Sequence, residues 1–184
     1  DNRADVYLEL EDYEKALEDY TSAIDLDKQV PEGYANRANC YNEMEDYTNA
    51  WKDYDKAIEL APENPLYYNN RADFYGDQEN YDEALKDYAT VIEISTDNWQ
   101  SYRAINNRAN IYKSEEKYEL AIEEYTKGIA IEPTALICDN RADVYLELED
   151  YEKALEDYTS AIDLDKQVPE GYANRANCYN EMED

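Results

Sequence analysis

Carboxylates are the most abundant chemically active side chains of this sequence, and histidine is absent. Without histidine, the chain lacks the commonest general base and metal ligand of proteins. Its four glycines form no phosphate-binding loop, and a chain with 46 acidic residues contains many carboxylate pairs that carry no catalytic meaning. The sequence therefore predicts a protein that is not an enzyme, with no catalytic and no cofactor-binding residue.

A site for divalent cations is the one inorganic site that so acidic a chain could offer, because oxygen ligands suit Ca²⁺. The stretch that carries Asp25 and Asp27, together with Glu32, is one candidate. Asp73, in an amide-rich run, is a second candidate. Neither has the loop of an EF-hand, and a solvated acidic face is the alternative interpretation. Apart from such a cation, no cofactor is expected.

A repeat organises the whole chain. Asn-Arg-Ala triplets recur with steps of 34, 34, 37, 33 and 34 residues between their arginines, which are Arg3, Arg37, Arg71, Arg108, Arg141 and Arg175. Such a period is typical of stacked structural repeats. The predicted units are 1–30 (partial), 31–64, 65–101, 102–134, 135–168 and 169–184 (partial), all within one array over 1–184.

A second, longer period of 138 residues lies on top of the first, because residues 1–46 are identical to residues 139–184. Point changes blur ancient copies, so the duplication is recent or actively homogenised. We therefore expect the chain to be a slice of a longer array.

Each unit has the apolar spacing of two amphipathic helices. In the unit from Pro31, Tyr34 and Ala38 fall on one face of a first helix, and a second helix is predicted from about Tyr47 to Leu60. Asp46 is the predicted N-cap of that second helix, because its carboxylate can accept free backbone amide hydrogens. The three extra residues in 95–101 should lengthen the connection between units or the helix that follows.

This pattern resembles the tetratricopeptide repeat family. The residues that match the 34-residue signature of that family are Tyr34, Ala38, Tyr41, Ala50, Tyr54, Ala57 and Pro62. The chain departs from the signature at Arg37, where Leu is commonest, and at Val91 and Gly128, where Ala is usual. The resemblance implies an all-α fold, a right-handed superhelical α-solenoid of tandem helix-turn-helix repeats.

Each of the first five triplet arginines has a carboxylate sixteen residues further along the chain. The predicted pairs include Arg37 with Asp53, Arg71 with Asp87, and Arg108 with Glu124. Across a helical hairpin such residues would face each other and form a bidentate ion pair where an apolar residue usually packs. We hypothesise that the pair fixes the angle between the two helices.

The resemblance also implies a concave groove lined by the first helices, in which Asn side chains can hold the backbone of an extended peptide. The residues that would line it are Asn36, Asn39, Asn70, Asp73, Asn107, Asn110, Asn140 and Asp143. The Lys and Arg residues with which co-chaperone members of the family grip a carboxylate are not present at the neighbouring positions.

The net charge of the chain limits the kinds of partner that it can bind. With 17 basic and 46 acidic residues the net charge is -29, which excludes a basic footprint for nucleic acid or anionic lipid. No apolar run approaches the roughly 20 residues that span a membrane. We expect a soluble chain without membrane insertion, for which cytoplasmic and extracellular locations are both allowed.

Two functions remain open at the level of sequence. The first is a non-catalytic structural array, an extended, filamentous superhelix that associates with itself, which the identical blocks favour. The alternative is an adaptor that binds a peptide or protein partner in its concave groove. A groove whose residues differ among units would favour the adaptor, whereas the Asn/Asp pattern here repeats.

Overall fold

The computed structural model describes residues 2–167 and 169–183, and these residues form eleven helices and no strand. The helices are α1 (Asn2–Glu9), α2 (Tyr13–Leu26), α3 (Pro31–Glu43), α4 (Tyr47–Leu60), α5 (Pro65–Asp77), α6 (Tyr81–Ile94), α7 (Asn98–Ser114), α8 (Tyr118–Ile131), α9 (Ala135–Glu147), α10 (Tyr151–Leu164) and α11 (Pro169–Glu183). They fall into two compact units, Asp1–Ile94 and Ser95–Asp184. The predicted all-α architecture of tandem helix-turn-helix repeats is confirmed within each unit.

The turn inside each repeat has one recurring backbone geometry. The first helix ends in backbone bonds from Glu45 N to Asn42 O and from Asp46 N to Tyr41 O, both 2.9 Å long. Glu45 itself has a φ of 59°, the left-handed conformation that usually ends a helix with glycine. The equivalent residues with positive φ are Glu11, Glu79, Glu116 and Glu149. A glutamate therefore takes the place of the usual glycine at every turn.

Side-chain caps then start the second helices. Asp46 Oδ1 accepts a hydrogen bond from Asn49 N at 3.2 Å, which confirms the predicted N-cap of α4. Between repeats, Asn64 caps α5 by accepting from Leu66 N at 3.1 Å, and Pro65 occupies the first turn, where its missing amide hydrogen is not needed. The extra residues before Arg108 extend the helix, because α7 has 17 residues and α5 has 13.

The core of each unit is built from alanine and tyrosine. In the first unit Ala38 and Ala50, both fully buried, pack with Tyr54 and Phe74. In the second unit Ala142 and Ala154 pack in the same way with Tyr158 and Cys178. Small residues let the helices of a hairpin approach closely, and the rings of neighbouring helices fill the remaining space.

The three cysteines are buried and free, as expected for small apolar residues. Burial raises the pKa of the Cys40 thiol to about 11, so it is protonated and unreactive at neutral pH.

Candidate functional site

The eight predicted groove residues lie on α3, α5, α7 and α9, and all eight are half-buried. We call them the Asn/Asp ladder: Asn36, Asn39, Asn70, Asp73, Asn107, Asn110, Asn140 and Asp143. Each first helix contributes two of them, one directly before the triplet arginine and one two residues after it. That these residues line a ligand-binding groove remains a prediction.

Half of the ladder is held by tyrosine hydroxyl groups, which sequence reasoning missed. Tyr54 Oη donates to Asn39 Oδ1 at 2.7 Å, and Tyr158 Oη donates to Asp143 Oδ1 at 2.8 Å. The other two bonds of this kind run from Tyr88 to Asp73 and from Tyr125 to Asn110. The sequence did contain a signal for these bonds, because a tyrosine follows each of the four ladder residues by fifteen positions. These bonds fix the ladder side chains relative to the second helix of each hairpin.

In the second unit, polar bonds also join the first helices of successive repeats. Asn140 Nδ2 donates to Asn106 Oδ1 at 3.3 Å, and Asn174 Nδ2 donates to Asp139 Oδ2 at 2.9 Å. Lys113 Nζ lies 2.8 Å from Asp143 Oδ2 and forms an ion pair with it. The face formed by α7, α9 and α11 is therefore a connected polar network.

Within this network, Asp139 has one carboxylate oxygen that is not hydrogen-bonded to the described residues. Its second oxygen, Oδ1, is buried and has no hydrogen-bond partner among the described residues. Burial raises the pKa of the Asp139 carboxyl, and the charges of Asp143 and Glu170 raise it further, against the lowering effects of Asn174 and Lys113. A cationic group or a hydrogen-bond donor placed beside Oδ1 would stabilise the ionised form.

The structure brings together the predicted arginine and carboxylate pairs. Arg37 Nε lies 2.6 Å from Asp53 Oδ2, and Arg37 Nη2 lies 3.0 Å from Asp53 Oδ1, which is a bidentate pair. Arg71 with Asp87 and Arg141 with Asp157 have the same geometry. The pair replaces an apolar contact between the two helices of one hairpin.

A third arginine bond, which the sequence did not predict, reaches the preceding repeat. Arg37 Nη1 donates to Thr21 Oγ1 at 3.2 Å, and Arg141 Nη1 donates to Thr126 Oγ1 at 2.8 Å. The Arg37 guanidinium carbon also lies 5.7 Å from the ring centre of Tyr34. The arginine therefore connects three helices, and its charged group lies within cation–π distance of the Tyr34 ring.

The pair of Arg108 and Glu124 differs from the bidentate prediction. Both Nε and Nη2 of Arg108 bind Glu124 Oε2, because Glu124 Oε1 accepts from Lys127 Nζ at 2.8 Å. The longer glutamate side chain shares its two oxygens between two cations, so this pair holds its hairpin with a different geometry.

The candidate cation ligands do not gather into a site. Asp25 and Asp27 are exposed, and Asp27 Oδ1 accepts a hydrogen bond from Gln29 N at 2.9 Å. Asp73 is bound by Tyr88. Among residues 2–167 and 169–183, no group of three carboxylates or cysteines is placed to hold a metal ion. The cation site therefore remains a prediction.

This arrangement defines a helical-hairpin repeat protein, and four models of one family match its sequence. Tetratricopeptide repeat models match residues 1–63, 53–86 and 102–134, and a TPR repeat model matches residues 142–182. The chain belongs to the tetratricopeptide repeat family. No curated protein matches it significantly in sequence.

Solved structures share the fold. The chain is similar to PilF of Pseudomonas aeruginosa, with a TM-score of 0.85, 18% identity, and coverage of 100% of this chain and 82% of that one. PilW, a type IV pilus biogenesis factor, gives a TM-score of 0.79 at 16% identity over 97% of this chain and 87% of that one. YrrB, a tetratricopeptide protein with an unusual peptide-binding site, gives a TM-score of 0.69 at 23% identity, over 95% of this chain and 89% of that one. These identities show the fold alone.

No helix in the described part of the chain is long and apolar enough to cross a membrane.

Proposed function

We propose that this protein is a non-catalytic interaction scaffold that binds a basic, extended segment of a partner protein along the face formed by α7, α9 and α11. The observation that carries the proposal is the half-buried Asp139 carboxylate, which lies with Asp143 on the face formed by α7, α9 and α11. A Lys or Arg side chain beside these carboxylates would supply the opposite charge.

The charge of the whole chain supports the same partner. A net charge of -29 attracts cationic segments and accelerates their encounter with the protein. The same face adds amide groups, among them Asn110 and Asn140, that are half-buried and suited to hydrogen bonds with a peptide backbone. YrrB, which has a similar fold, is described as having a peptide-binding site.

The proposal is tested by selecting ligands from a library of short random peptides displayed on beads. We expect enrichment of peptides that carry Lys or Arg, with an affinity that falls as salt is added, because exposed charge attraction is screened. The Asp139→Asn variant should bind the selected peptides about tenfold more weakly, since it loses the charge while keeping the side-chain shape.

The matched control is Glu152→Gln, which removes the same charge from an exposed position on α10. This variant should bind as tightly as the parent chain. The proposal fails if the library yields no enrichment of basic residues, or if the two variants weaken binding equally.

A second candidate function is the self-associating array, which the identity of residues 1–46 with residues 139–184 favours. Residues 31–43 of α3 have the same sequence as residues 169–181. In α3, Tyr34 and Tyr41 are half-buried, and Arg37 pairs with Asp53 of α4. The sequence of α4 is therefore suited to cover a face with the sequence of α3.

Sedimentation velocity over a range of protein concentrations tests this second function. We expect larger species to grow with concentration, and a peptide with the sequence of residues 47–60 should dissociate them. The same peptide carrying Asp53→Asn is the control and should compete less well, because it loses the charge that Arg175 would bind. A single monomeric species at every concentration rules out self-association.

A further inference from the structure

In two of the helical hairpins, a lysine ammonium group lies over a tyrosine ring. Lys15 Nζ is 5.3 Å from the ring centre of Tyr7, and Lys153 Nζ is 5.2 Å from the ring centre of Tyr145. Each lysine follows its tyrosine by eight residues and belongs to the second helix of the hairpin. A cation within about 6 Å of the centre of an aromatic ring is attracted by the ring face. The second helix therefore supplies a cation to the tyrosine of the first helix.

The residue eight positions after this tyrosine is different in the hairpins that follow Tyr41, Tyr75 and Tyr112. The equivalent residues there are Asn49, Glu83 and Leu120. Asn49 and Leu120 are neutral, whereas Glu83 has the charge opposite to that of the lysine. The hairpin of α5 and α6 therefore has a carboxylate where two other hairpins have an ammonium group.

The remaining contacts of the Tyr75 ring are those of the lysine-containing hairpins. The guanidinium carbon of Arg71 lies 5.9 Å from the ring centre of Tyr75, and that of Arg141 lies 5.9 Å from the ring centre of Tyr145. The Tyr145 ring has the arginine and Lys153 beside it at the same time, so one cation does not exclude the other. A second cation would therefore fit beside Tyr75 in the same way.

The preceding repeat adds another aromatic group to Tyr75. Trp51 Nε1 donates a hydrogen bond to Tyr75 Oη at 2.9 Å, which holds the indole against the phenol. Trp51 is 44% exposed, and tryptophan is the aromatic residue that binds cations best. The residues equivalent to Trp51 are aliphatic and half-buried: Leu17, Leu85, Ile122 and Leu155. Packing between repeats therefore does not require an indole at this position.

Glu83 supplies the negative charge that a lysine needs at this place. In the two lysine-containing hairpins, Lys15 pairs with Asp12 and Lys153 pairs with Asp150. The equivalent residue in the hairpin of α5 and α6 is Asn80, which is neutral.

The carboxylate of Glu83 is accessible to an incoming cation. The Glu83 side chain is 45% exposed, and its Oε1 lies 2.6 Å from Nζ of Lys86, which is 68% exposed. An ion pair between such exposed side chains contributes little stability, so an incoming ammonium group can replace Lys86.

We propose that Trp51, Tyr75 and Glu83 form a docking site for a lysine side chain of a partner protein. The ammonium group occupies the place over the Tyr75 ring that Lys15 and Lys153 occupy in their own hairpins, and it pairs with Glu83. The site lies in the first unit and shares no residue with the face formed by α7, α9 and α11. It therefore goes beyond the proposed function and does not depend on it.

The test uses the peptide acetyl-Gly-Lys-Gly-amide, which offers one lysine side chain, and follows the full chain by NMR. We expect saturable shifts of the Trp51 indole N–H signal and of the backbone amide signals of Tyr75 and Glu83. The same peptide with norleucine, which keeps the alkyl chain and lacks the ammonium group, should bind about fivefold more weakly. Equal affinity for the two peptides, or an absence of saturable shifts at these residues, overturns the proposal.

The second tryptophan is an internal control in the same spectra. Trp99 is 57% exposed and stacks on Tyr102, with 5.5 Å between the ring centres. Its indole N–H signal should not show saturable shifts. Equal saturable shifts of both indole signals would mean that any exposed indole of this acidic chain attracts the peptide, and the proposed site would be wrong.

Two variants of α6 locate the binding. Glu83→Lys supplies the cation from within the chain, as Lys15 and Lys153 do in hairpins that fold, and should abolish binding of the peptide. Glu93→Lys makes the same change of charge at an exposed position of the same helix and should bind as the parent does. Binding that survives Glu83→Lys, or an equal loss in both variants, contradicts the site.

The contribution of the indole is measured with Trp51→Leu, which inserts the residue that the chain carries at Leu17 and Leu85. This variant should bind the lysine peptide about threefold more weakly, because it keeps Glu83 and loses one aromatic group. Unchanged affinity would remove Trp51 from the site and overturn the proposal as stated.

Asp139→Asn separates this site from the proposed function. The variant should bind the lysine tripeptide as the parent does, and a loss of binding would place the lysine on the face formed by α7, α9 and α11 and refute the site. Conversely, selected basic peptides that bind normally, without shifts at Trp51, would refute this site and leave the scaffold function standing.

Discussion

Arg71 and Asp87 are joined by two parallel hydrogen bonds, from Nε to Oδ2 at 2.7 Å and from Nη2 to Oδ1 at 2.8 Å. The remaining nitrogen, Nη1, donates to Asp55 Oδ1 at 3.0 Å. One guanidinium therefore connects α4, α5 and α6. The two side chains of the pair are 16% and 8% exposed, so the Asp87 charge depends on Arg71 for compensation, whereas Arg71 also pairs with Asp55.

Removing one partner of the Arg71 and Asp87 pair should lower the free energy of unfolding. We expect Asp87→Ala to lower the free energy of unfolding by about 2–3 kcal/mol, because a partly buried guanidinium loses the more buried of its two counter-charges. Urea unfolding followed by circular dichroism measures the change. The double replacement Arg71→Leu with Asp87→Leu should recover most of the loss, since apolar residues often substitute well for a buried pair.

The matched control is Asp19→Ala, which breaks the equivalent pair with Arg3. Arg3 is 74% exposed there, so water solvates the charge and the loss should be clearly smaller. Equal losses at the two positions would show that burial does not decide the contribution of this pair.

The glutamates with positive φ should be replaceable by glycine with a gain in stability. Glu79 has a φ of 56°, a conformation that costs a residue with a Cβ atom about 1–2 kcal/mol. We expect Glu79→Gly to raise the free energy of unfolding by about 1 kcal/mol after the entropy cost of glycine is counted. Glu93→Gly, at an exposed position inside α6, should instead lower it by a similar amount. A loss of stability on Glu79→Gly would mean that its side chain has a stabilising contact that outweighs the backbone strain.

Gly128 should not tolerate a methyl group. A Cβ atom at Gly128 would lie 2.3 Å from Cδ1 of Ile137, which is fully buried. We expect Gly128→Ala to lower the free energy of unfolding by about 1–3 kcal/mol through overpacking. The additional change Ile137→Val removes the clashing methyl group and should restore part of the loss.

Gly76 provides the control for helix propensity, because nothing lies within 4 Å of a Cβ atom built there. Gly76→Ala should be stabilising by up to about 1 kcal/mol. The unfolding temperatures of the two alanine variants should therefore shift in opposite directions. A rise in the unfolding temperature of both variants would contradict the close approach at Gly128.

The raised pKa of Asp139 predicts a pH dependence. Burial holds the folded-state pKa above that of the unfolded chain, so this carboxyl favours the folded state while protonated. Its contribution is present at acidic pH and is lost as the pH rises through the folded-state pKa. We expect Asp139→Asn to be more stable than the parent at neutral pH, with a difference that shrinks as the pH falls. Unfolding measured over a series of pH values checks this, and a difference that does not vary with pH would contradict the raised pKa.

The helix boundaries were accessible from the sequence because apolar side chains recur every three or four residues and turns interrupt that spacing. The predicted second helix from about Tyr47 to Leu60 agrees with α4, and Asp46 caps it as expected. The partner of Arg37 could be proposed because sixteen residues separate facing positions in each hairpin. These features depend on neighbours within one repeat, which a period in the sequence reveals.

The remaining features depend on neighbours that the sequence does not place side by side. The third bond of Arg37 to Thr21 joins different repeats. The bond of Tyr158 to Asp143 has a constant spacing of fifteen residues as its signal, but that spacing does not show that the hydroxyl of a core tyrosine points to the ladder residue.

The sequence alone determined that this chain is a tandem array of helical hairpins, because a strict period of small and aromatic residues permits few other ways to bury its apolar faces. Only the tertiary structure decided that Arg37 bonds to Thr21 of the preceding repeat and that the buried Asp139 Oδ1 has no hydrogen-bond partner among the described residues. The physical reason is that a contact between repeats and an unpaired buried atom are defined by the positions of several helices together. Neither is a property of any one residue or of its spacing along the chain.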